Sequence, residues 1–591
     1  MSAAQSIATP LTSTARIEAA YPMWVRHHDT LSTADRIAIR AHIAQMPEPP
    51  TLSLLLPVGF APPDRLLDTL VSLRTQLYPH WKVCIAGVPQ SPGALAELAA
   101  GDPRMHVVDR TQHTDPGAAA AAALPHADGR HIAVLAEGDQ LPPHALYELA
   151  VEIARFPDTA LLYTDEDLID FTGARSTPRF KTGWDPDLLL SHDYIGGLAV
   201  YSVDAIDAAG GFRAGFGPAF SYDLALRATK KLLPDRIRHL PAVLLHRPAD
   251  VPHALHDRAL GREAQAARET VWKFLGSAAD VTPSPLLPSR NRITWPLPSP
   301  APSVTVIMPT RDHAELLVPA AWGVLLRTDY PDFDLLIVDN DSREMLTDTA
   351  FRDLRTQPNA RIMRYPGPFN FAAINNAAVR EARGEIVVLL NNDVDVIHPD
   401  WLRELVSHAV RPDVGVVGGK LLYADGQIQH AGIVLGPGLN ATHVERLADR
   451  FDPGYGGMLA AVRSCSAVTG ACLALRRSVY LEVGGMDEDS FAVAFNDIDL
   501  CLRISERGYR IVWTPFAELF HMESKSRGYA DTEEKAARER REIDLLWRLW
   551  RHVFALDPFN NANLVCAWHE PLHLCPPRRR KPWLANCGAQ N

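Results

Sequence analysis

Val387-Val388-Leu389-Leu390-Asn391-Asn392-Asp393-Val394-Asp395 is the stretch on which the reading of the chain turns. Four apolar residues, two of them β-branched, make a run of the length of a buried strand, and the run stops abruptly in amides and carboxylates. In an open α/β sheet, ligands bind at the carboxyl ends of strands. A carboxylate placed there can hold a hard cation, and the cation can hold a diphosphate. Asn and Asp are also ordinary turn residues, so the stretch alone leaves both readings open.

Working outward, strands are expected at Leu52–Pro57, Trp81–Ala86, Met105–Val108 and His131–Leu135, with a helix through Leu66–Leu77. Such alternation predicts a doubly wound, mostly parallel sheet. After a Pro- and Ser-rich stretch the same series starts again. Ser303–Pro309 answers Leu52–Pro57, Leu335–Val338 answers Val83–Ala86, and Ala382–Glu385 answers Ala127–Arg130. Val483-Gly484-Gly485 answers Ala209-Gly210-Gly211, Asp499–Arg503 answers Asp223–Arg227, and Trp513–His521 answers His239–His246. A period of roughly 250 residues exceeds any solenoid unit and means a duplicated domain. The expected division is a disordered tail and helical segment over 1–50, a first α/β domain over 51–280, a linker over 281–302, a second α/β domain over 303–530, and a helix with an irregular tail over 531–591. Within the first segment, Ser32-Thr33-Ala34-Asp35 can cap a helix. Within the last, Arg578-Arg579-Arg580-Lys581 reads as a solvated basic run, with anionic lipid head groups as the other reading.

The bulk properties narrow the function. At 591 residues with 47% hydrophobic and 22% charged, the chain has an ordinary globular composition. A net charge of −11 argues against a nucleic-acid partner. No apolar run reaches the eighteen or so residues of a membrane span, and the first residues lack a signal-peptide pattern. The seven cysteines show no CxxC spacing, which fits a reducing compartment. A cytoplasmic protein is expected.

In the second repeat, strand one ends in Pro309-Thr310-Arg311-Asp312 and strand two in Val338-Asp339-Asn340. An Asp at the end of the second strand of a nucleotide-binding unit can accept hydrogen bonds from a base or ribose; its other reading is an N-cap or Asx-turn. Asn375 and Asn376 sit one turn into a helix, and Asn496-Asp497-Ile498-Asp499 opens another. His521 follows a strand-like run. These residues, with Gln429-His430-Ala431-Gly432, Val468-Thr469-Gly470-Ala471-Cys472 and His521-Met522-Glu523-Ser524, resemble the family-two glycosyltransferases, inverting enzymes of the GT-A fold. They are most similar to the bacterial branch that builds O-antigen and other surface polysaccharides, including rhamnosyltransferase-like members. The resemblance covers about residues 20–560.

The resemblance implies two tandem GT-A domains and a transferase moving a sugar from a nucleotide-diphospho-sugar, of dTDP-rhamnose or UDP-hexose type, to a hydroxyl of a growing, lipid-linked glycan. A soluble enzyme with that acceptor would sit on the cytoplasmic face of the inner membrane. Asp393 then takes the last position of the family's DxD motif as ligand of Mg²⁺ or Mn²⁺, with Asn391 in place of the first Asp, and His521 is a second metal or diphosphate contact. Pro309, Thr310, Arg311, Asp312, Asp339, Asn340, Asn375, Asn376, Asn391 and Asn392 are expected on the donor. Thr469, Gly470, Asn496 and Asp499 are expected on the acceptor side, with Asp499 also carrying a structural reading because Asp223 matches it in the first repeat. Asp497 matches the catalytic base, which takes the proton of the attacking hydroxyl.

The first repeat departs from this pattern. Ala86-Gly87 replaces Val338-Asp339, and Ser221 falls where Asp497 stands. Gly138 falls where Asp393 stands, or Asp139 after a slip of one residue. The expectation is a domain that keeps the fold without donor chemistry, with Thr164-Asp165-Glu166-Asp167 serving glycan binding or structure. Two active sites, or a non-catalytic glycan-binding scaffold, are the alternatives. A nucleotide-sugar pyrophosphorylase would need a Gly-rich activating loop, which Met308–Leu316 does not supply.

Overall fold

The computed structural model describes residues 11–88, 93, 101–249, 253–437, 440–522, 532–567 and 570–584. Its strands form where β-branched and aliphatic runs can be covered on both faces. In the first domain these are β1 (Leu52–Val58), β2 (Trp81–Gly87), β3 (Met105–Asp109), β4 (His131–Val134), β5 (Leu161–Ile169), β6 (Arg175–Arg179), β7 (Val200–Ser202) and β8 (Ile237–Pro248). They order as β3-β2-β1-β4-β7-β5-β6, with β8 also on β5. A hairpin of β9 (Asp280–Pro283) and β10 (Asn291–Thr294) follows.

The second domain holds β11 (Val304–Thr310), β12 (Phe333–Asp339), β13 (Ala360–Arg364), β14 (Ile386–Leu390), β15 (Val394–Val396), β16 (Val414–Leu422), β17 (Ile428–His430), β18 (Ile433–Gly436), β19 (Asn440–His443), β20 (Arg463–Ser464), β21 (Cys472–Arg476) and β22 (Arg510–His521). Its main order, β13-β12-β11-β14-β21-β16-β22, repeats β3-β2-β1-β4-β7-β5-β8 strand for strand. The directions repeat too. The strand-one pairs are parallel, the β4/β7 and β14/β21 pairs antiparallel, and the β5/β8 and β16/β22 pairs parallel. The duplication is a duplication of fold, and each domain is the α/β sheet expected.

Matching details tie the copies together. Ser53 Oγ accepts from Gly129 N at 2.8 Å, as Thr305 Oγ1 accepts from Gly384 N at 2.9 Å. A side chain on either glycine would stand 2.4 Å from backbone of the neighbouring strand, so the approach requires glycine. In β14, Val387 and Leu389 pack into one face and Ile386, Val388 and Leu390 into the other. Both faces of the strand that opened the sequence reading are therefore core.

The linker and the carboxy-terminal tail are more built than expected. The amino-terminal segment forms two helices, Ser13–His28 and Thr33–Ala44, and Ser32 with Asp35 makes the capping box. The 281–302 stretch is not a free linker. Asn291 Nδ2 donates to Leu190 O and Ser284 Oγ to Ala460 O, so the hairpin is fastened to both domains. After the helix Glu533–Leu549 comes a hairpin of β23 (Leu564–Ala567) and β24 (Glu570–Leu574) instead of an irregular tail. The basic run is engaged rather than solvated: Arg578 donates to three backbone carbonyls, Arg579 pairs with Glu148, and Lys581 lies over Trp583. Ile17, Tyr21 and Trp24 join Phe180, Val434, Tyr455 and Leu564 in a small core where the termini and both domains meet.

Charged groups also cross between the domains. Asp187 pairs with Arg411 at 2.7 Å and Arg510 at 2.5 Å, and Asp185 accepts from Ser464 N at 2.7 Å. Burial pushes the Asp187 carboxyl up, but the two guanidinium groups outweigh it and hold it far below the usual range. No described helix is long and apolar enough to cross a membrane.

Candidate active site

β14 delivers its strand end beside β11, and Asn392 Nδ2 donates to Thr310 Oγ1 at 2.9 Å, tying the two ends. Asp393 then leads into β15, which runs antiparallel to the end of β22 with Val394 opposite His521. That register places Asp393 Oδ1 3.2 Å from His521 Nε2, although 128 positions (521 − 393) separate the residues. His521 Nδ1 faces Gln429 Oε1 at 2.6 Å, and Gln429 Nε2 donates back to the His521 carbonyl at 3.3 Å. An amide oxygen accepts and cannot donate, so this network assigns the proton to Nδ1 and leaves Nε2 as a lone pair. Asn391 Nδ2 lies 3.2 Å from that lone pair. Asp393 Oδ1 is buried with no hydrogen-bond donor.

A buried carboxylate oxygen without a donor, beside an imidazole lone pair, is a place for a cation. Neighbouring ligands of an octahedral Mg²⁺ at about 2.1 Å stand about 3.0 Å apart, close to the separation found. Among the described residues no third His, Cys, Asp or Glu joins them to make a closed site. Phosphate oxygens and water would complete the sphere, as is usual for Mg²⁺ bound with a substrate diphosphate.

The other expected donor residues divide into two groups. Arg311 is exposed and Pro309 partly so, at the rim of the loop after β11. Asp339 is 6% exposed; its Oδ1 accepts from Ser342 N, three residues on, at 2.8 Å, which closes the turn after β12 and leaves the second oxygen for a ligand. Asp312 uses its Oδ1 on the amides of Arg343 (2.6 Å) and Glu344 (2.9 Å), bracketing the loops after β11 and β12. Partial burial pushes its carboxyl up, and those amides with Arg311 more than reverse this. Asn376 is saturated by Tyr480, Met486 and Glu488, which gives it to the scaffold. Asn340 Nδ2 donates to the Tyr365 and Gly367 carbonyls and Asn375 Nδ2 to Phe371 O, while the Oδ1 of each is buried without a partner. Sequence spacing does not reveal these contacts.

Asp497 sits at the first turn of the helix Asn496–Glu506, partly exposed, where carboxylates suit the helix dipole. The preceding Phe495 has φ +61°, a left-handed conformation costly for an aromatic residue, and it aims the helix start at the sheet. Gly470 N donates to Asp497 Oδ2 at 2.8 Å, while the next residue, Ala471, accepts from Asn391 N at 3.1 Å. One dipeptide therefore grips both the Asp497 carboxylate and the strand end that carries Asp393. Behind it, His430 Nε2 accepts from Thr469 N and Gly432 N, and its Nδ1 meets His443 Nδ1 at 2.8 Å. Burial, with His443 and Arg463 adding like charge, keeps His430 neutral. Asn496 and Asp499 do not open into this space: Asn496 Nδ2 donates to Phe491 O, and Asp499 accepts from Arg503 and Trp550. Arg503 in turn holds the carbonyls of Val483 and Gly485, as Arg227 beside Asp223 holds those of Ala209 and Gly211. Glu523 and Ser524 lie outside the described residues.

Comparison with known families decides the class. The family model for glycosyl transferase family 2 matches residues 53–210 and 305–484, one match on each domain and more than half the chain together. The chain belongs to glycosyl transferase family 2. It is 41% identical to the uncharacterized protein y4gI of Sinorhizobium fredii, over 87% of this chain and 58% of that protein. It is 35% identical to the O-antigen biosynthesis protein RfbC of Myxococcus xanthus, over 86% of this chain and 40% of that one. The chain thus spans about half the length of these relatives. A shorter stretch, 36% of the chain, is 27% identical to 73% of an N-acetylglucosaminyl-diphospho-decaprenol L-rhamnosyltransferase of Mycobacterium tuberculosis.

For a family-two glycosyltransferase, the first domain is the instructive half. Thr310 pairs with Asp339 where Val58 pairs with Gly87, so Gly87 stands in the place of Asp339. A Cβ there would lie 2.3 Å from Val58 O, and no carboxylate fits. Leu135 aligns with Leu390, yet Gln140 bridges to His246 as Val394 pairs with His521. The turn carries one extra residue, and Asp139, not Gly138, is the counterpart of Asp393. No ion pair joins Asp139 to His246 among the described residues; His246 Nδ1 binds Asp167 Oδ1 at 2.6 Å. Glu137 turns inward, and its Oε2 accepts from the amides of Gly59, Phe60 and Ala61 at 3.0, 2.8 and 3.0 Å. Thr164-Asp165-Glu166-Asp167 is wholly buried: Asp165 binds Asn561 and His239, Glu166 binds Lys181, and Asp167 binds Tyr21 and Arg175. Those partners give the cluster a structural role.

Proposed function

We propose that the second domain, residues 303–530, catalyses inverting transfer of a sugar from a nucleotide-diphospho-sugar to a hydroxyl of a growing surface polysaccharide. The observation that carries this reading is the buried, donor-less Asp393 Oδ1 beside the Nε2 lone pair of His521. Asp393 and His521 would hold Mg²⁺ or Mn²⁺ together with the donor diphosphate. When bound, the ion would neutralise charge developing on the departing diphosphate.

The chain's own residues do the rest. Asp339 accepts hydrogen bonds from the nucleoside with the oxygen that Ser342 N leaves unused, and Arg311 lies at the rim as a counter-charge. Asp497 takes the proton of the acceptor hydroxyl as its oxygen attacks the anomeric carbon, which inverts that centre. Gly470 N holds one oxygen of Asp497 in place. The relatives named for O-antigen biosynthesis and for L-rhamnosyl transfer to a diphospho-decaprenol support a lipid-linked glycan acceptor and a rhamnosyl donor. The same reading takes dTDP-rhamnose or a UDP-hexose as donor and the cytoplasmic face of the inner membrane as the place of work. The first domain, residues 51–280, does no donor chemistry under this reading: the Asp339 position is a glycine and the Asp497 position is Ser221.

A screen of nucleotide sugars for Mn²⁺-dependent donor hydrolysis tests this. Hydrolysis of at least one donor, abolished by Asp393→Ala, is expected. Hydrolysis unchanged in that variant would sink the assignment, and activity surviving in Asp497→Asn with Asp139 intact would point to a second working domain.

A further inference from the structure

A large cavity at the strand ends of the first domain has no part in the reading above. It measures about 920 Å³, near the top of the range of small-molecule sites. It opens from Pro57 and Leu135, at the ends of β1 and β4, where the second domain would place its donor. The fittings for a nucleotide are absent from it. Gly87 cannot carry a carboxylate, and Glu137 already fills the backbone amides of residues 59–61, so no incoming phosphate can use them.

What lines the cavity instead suits sugars. Phe60, Tyr194, Phe212 and Phe220 supply apolar rings, while Asp139 and Arg290 supply planar polar groups. A pyranose presents that combination, with C–H faces that pack on aromatic rings and hydroxyls that bridge carboxylate and guanidinium groups. Polar capacity is also unspent: Arg290 Nε and His192 Nδ1 are buried without partners, and both residues line the cavity. Burial, with Arg179 adding like charge, pulls the Arg290 guanidinium down to about 10, a situation that acceptor oxygens of a ligand would relieve. The second domain closes one wall. Tyr455 and Met458 line the cavity, and Tyr455 Oη donates to Pro178 O at 2.7 Å and accepts from Phe180 N at 3.0 Å.

We propose that this cavity binds a segment of the sugar chain that the second domain extends, so that the duplicated domain has exchanged a donor site for an oligosaccharide site. The proposal rests on the reading of the acceptor as a glycan, and its test separates the two. Full-length Asp497→Asn protein, unable to turn over, is probed on an array of neutral and uronate-bearing bacterial oligosaccharides, with and without UDP. Binding of at least one series is expected, indifferent to UDP. Ser221→Trp, which fills the cavity from a partly exposed position, and Arg290→Ala should each weaken it about tenfold or more in that background. Each change placed alone in the otherwise unaltered chain should keep donor hydrolysis within about twofold. Melting curves report folding, and Arg290→Ala carries the test where Ser221→Trp does not fold. Binding that ignores both substitutions, the absence of any bound glycan, or displacement by UDP overturns the proposal. Loss of Mn²⁺-dependent hydrolysis in the unmodified protein would instead strike at the second-domain reading.

Discussion

Gln429→Leu should disable the second domain without touching any group that meets substrate. Gln429 Oε1 accepts from His521 Nδ1 at 2.6 Å, and this bond holds the proton on Nδ1 and the Nε2 lone pair toward Asp393. Leucine accepts nothing. The ring is then free to adopt the other tautomer or to turn, and Nε2 no longer offers a fixed lone pair. Outer partners of metal-binding histidines typically contribute 10–100-fold in metal affinity, or about 1.4–2.8 kcal/mol at 1.4 kcal/mol per tenfold. A buried Nδ1–H left without an acceptor costs about 1–3 kcal/mol of stability as well, so the melting temperature should fall modestly. The assay is Mn²⁺ titration in the presence of a nucleoside diphosphate, followed calorimetrically. Gln429→Leu should weaken Mn²⁺ binding 10–100-fold, while Gln429→Glu, which restores an acceptor, should recover most of it. Asp497→Asn should leave it unchanged. Wild-type Mn²⁺ affinity in Gln429→Leu would refute the assignment of His521.

Asp497→Asn keeps the bond from Gly470 N and removes the proton acceptor, so turnover should drop about 10²–10⁴-fold with donor affinity unchanged, read from single-turnover kinetics. Burial raises the Asp139 carboxyl to about 6, so the fold favours its protonated form more than the unfolded chain does; the resulting stability is complete below the ordinary carboxylate range and lost as pH rises through about 6. Asp139→Asn should therefore raise the melting temperature at pH 8 and hardly change it at pH 4, with a gain of order 2–3 kcal/mol at the higher pH. Asp187→Ala leaves Arg411 and Arg510 without their shared carboxylate across the domain boundary, and denaturant unfolding should show a loss of about 3–5 kcal/mol. Because the paired Asp187 carboxyl is held far below the usual range, that contribution stands at neutral pH, and the gap between wild type and variant should begin to narrow below about pH 4 and still be open at pH 2.

The fold was readable because duplication doubles every signal. One strand of four apolar residues before polar ones is ambiguous, but two matching series of strands, helices and Gly-Gly turns are not, and the sheet orders follow them. Asp393 and His521 could each be named from motif, yet their meeting depends on the pairing of β15 with β22, which no local pattern shows. The motif around Gln429 gives that residue no role, since its partner stands 92 positions away. The asparagines misled for the opposite reason. An amide at a strand or helix start is as fit to hold the scaffold as to hold a ligand: Asn376 is spent on the scaffold, and Asn340 and Asn375 spend their Nδ2 groups there. In the first domain, one inserted residue moved the true counterpart of Asp393 from Gly138 to Asp139, a shift that the bridge between Gln140 and His246 exposes. The carboxy-terminal segment reads as irregular because its contacts are with distant parts of the chain.

That last point bears on synthesis. The carboxylate of Asp165, inside the first domain, receives two hydrogen bonds from Asn561, 396 residues later. At about 5–20 residues per second a ribosome needs about 20–80 s to make that interval. For that time the first domain holds a buried acid lacking one of its amide partners, and it can be finished only after the second domain has emerged. Cutting the chain at the hairpin between them would strand the earlier half in its unfinished state.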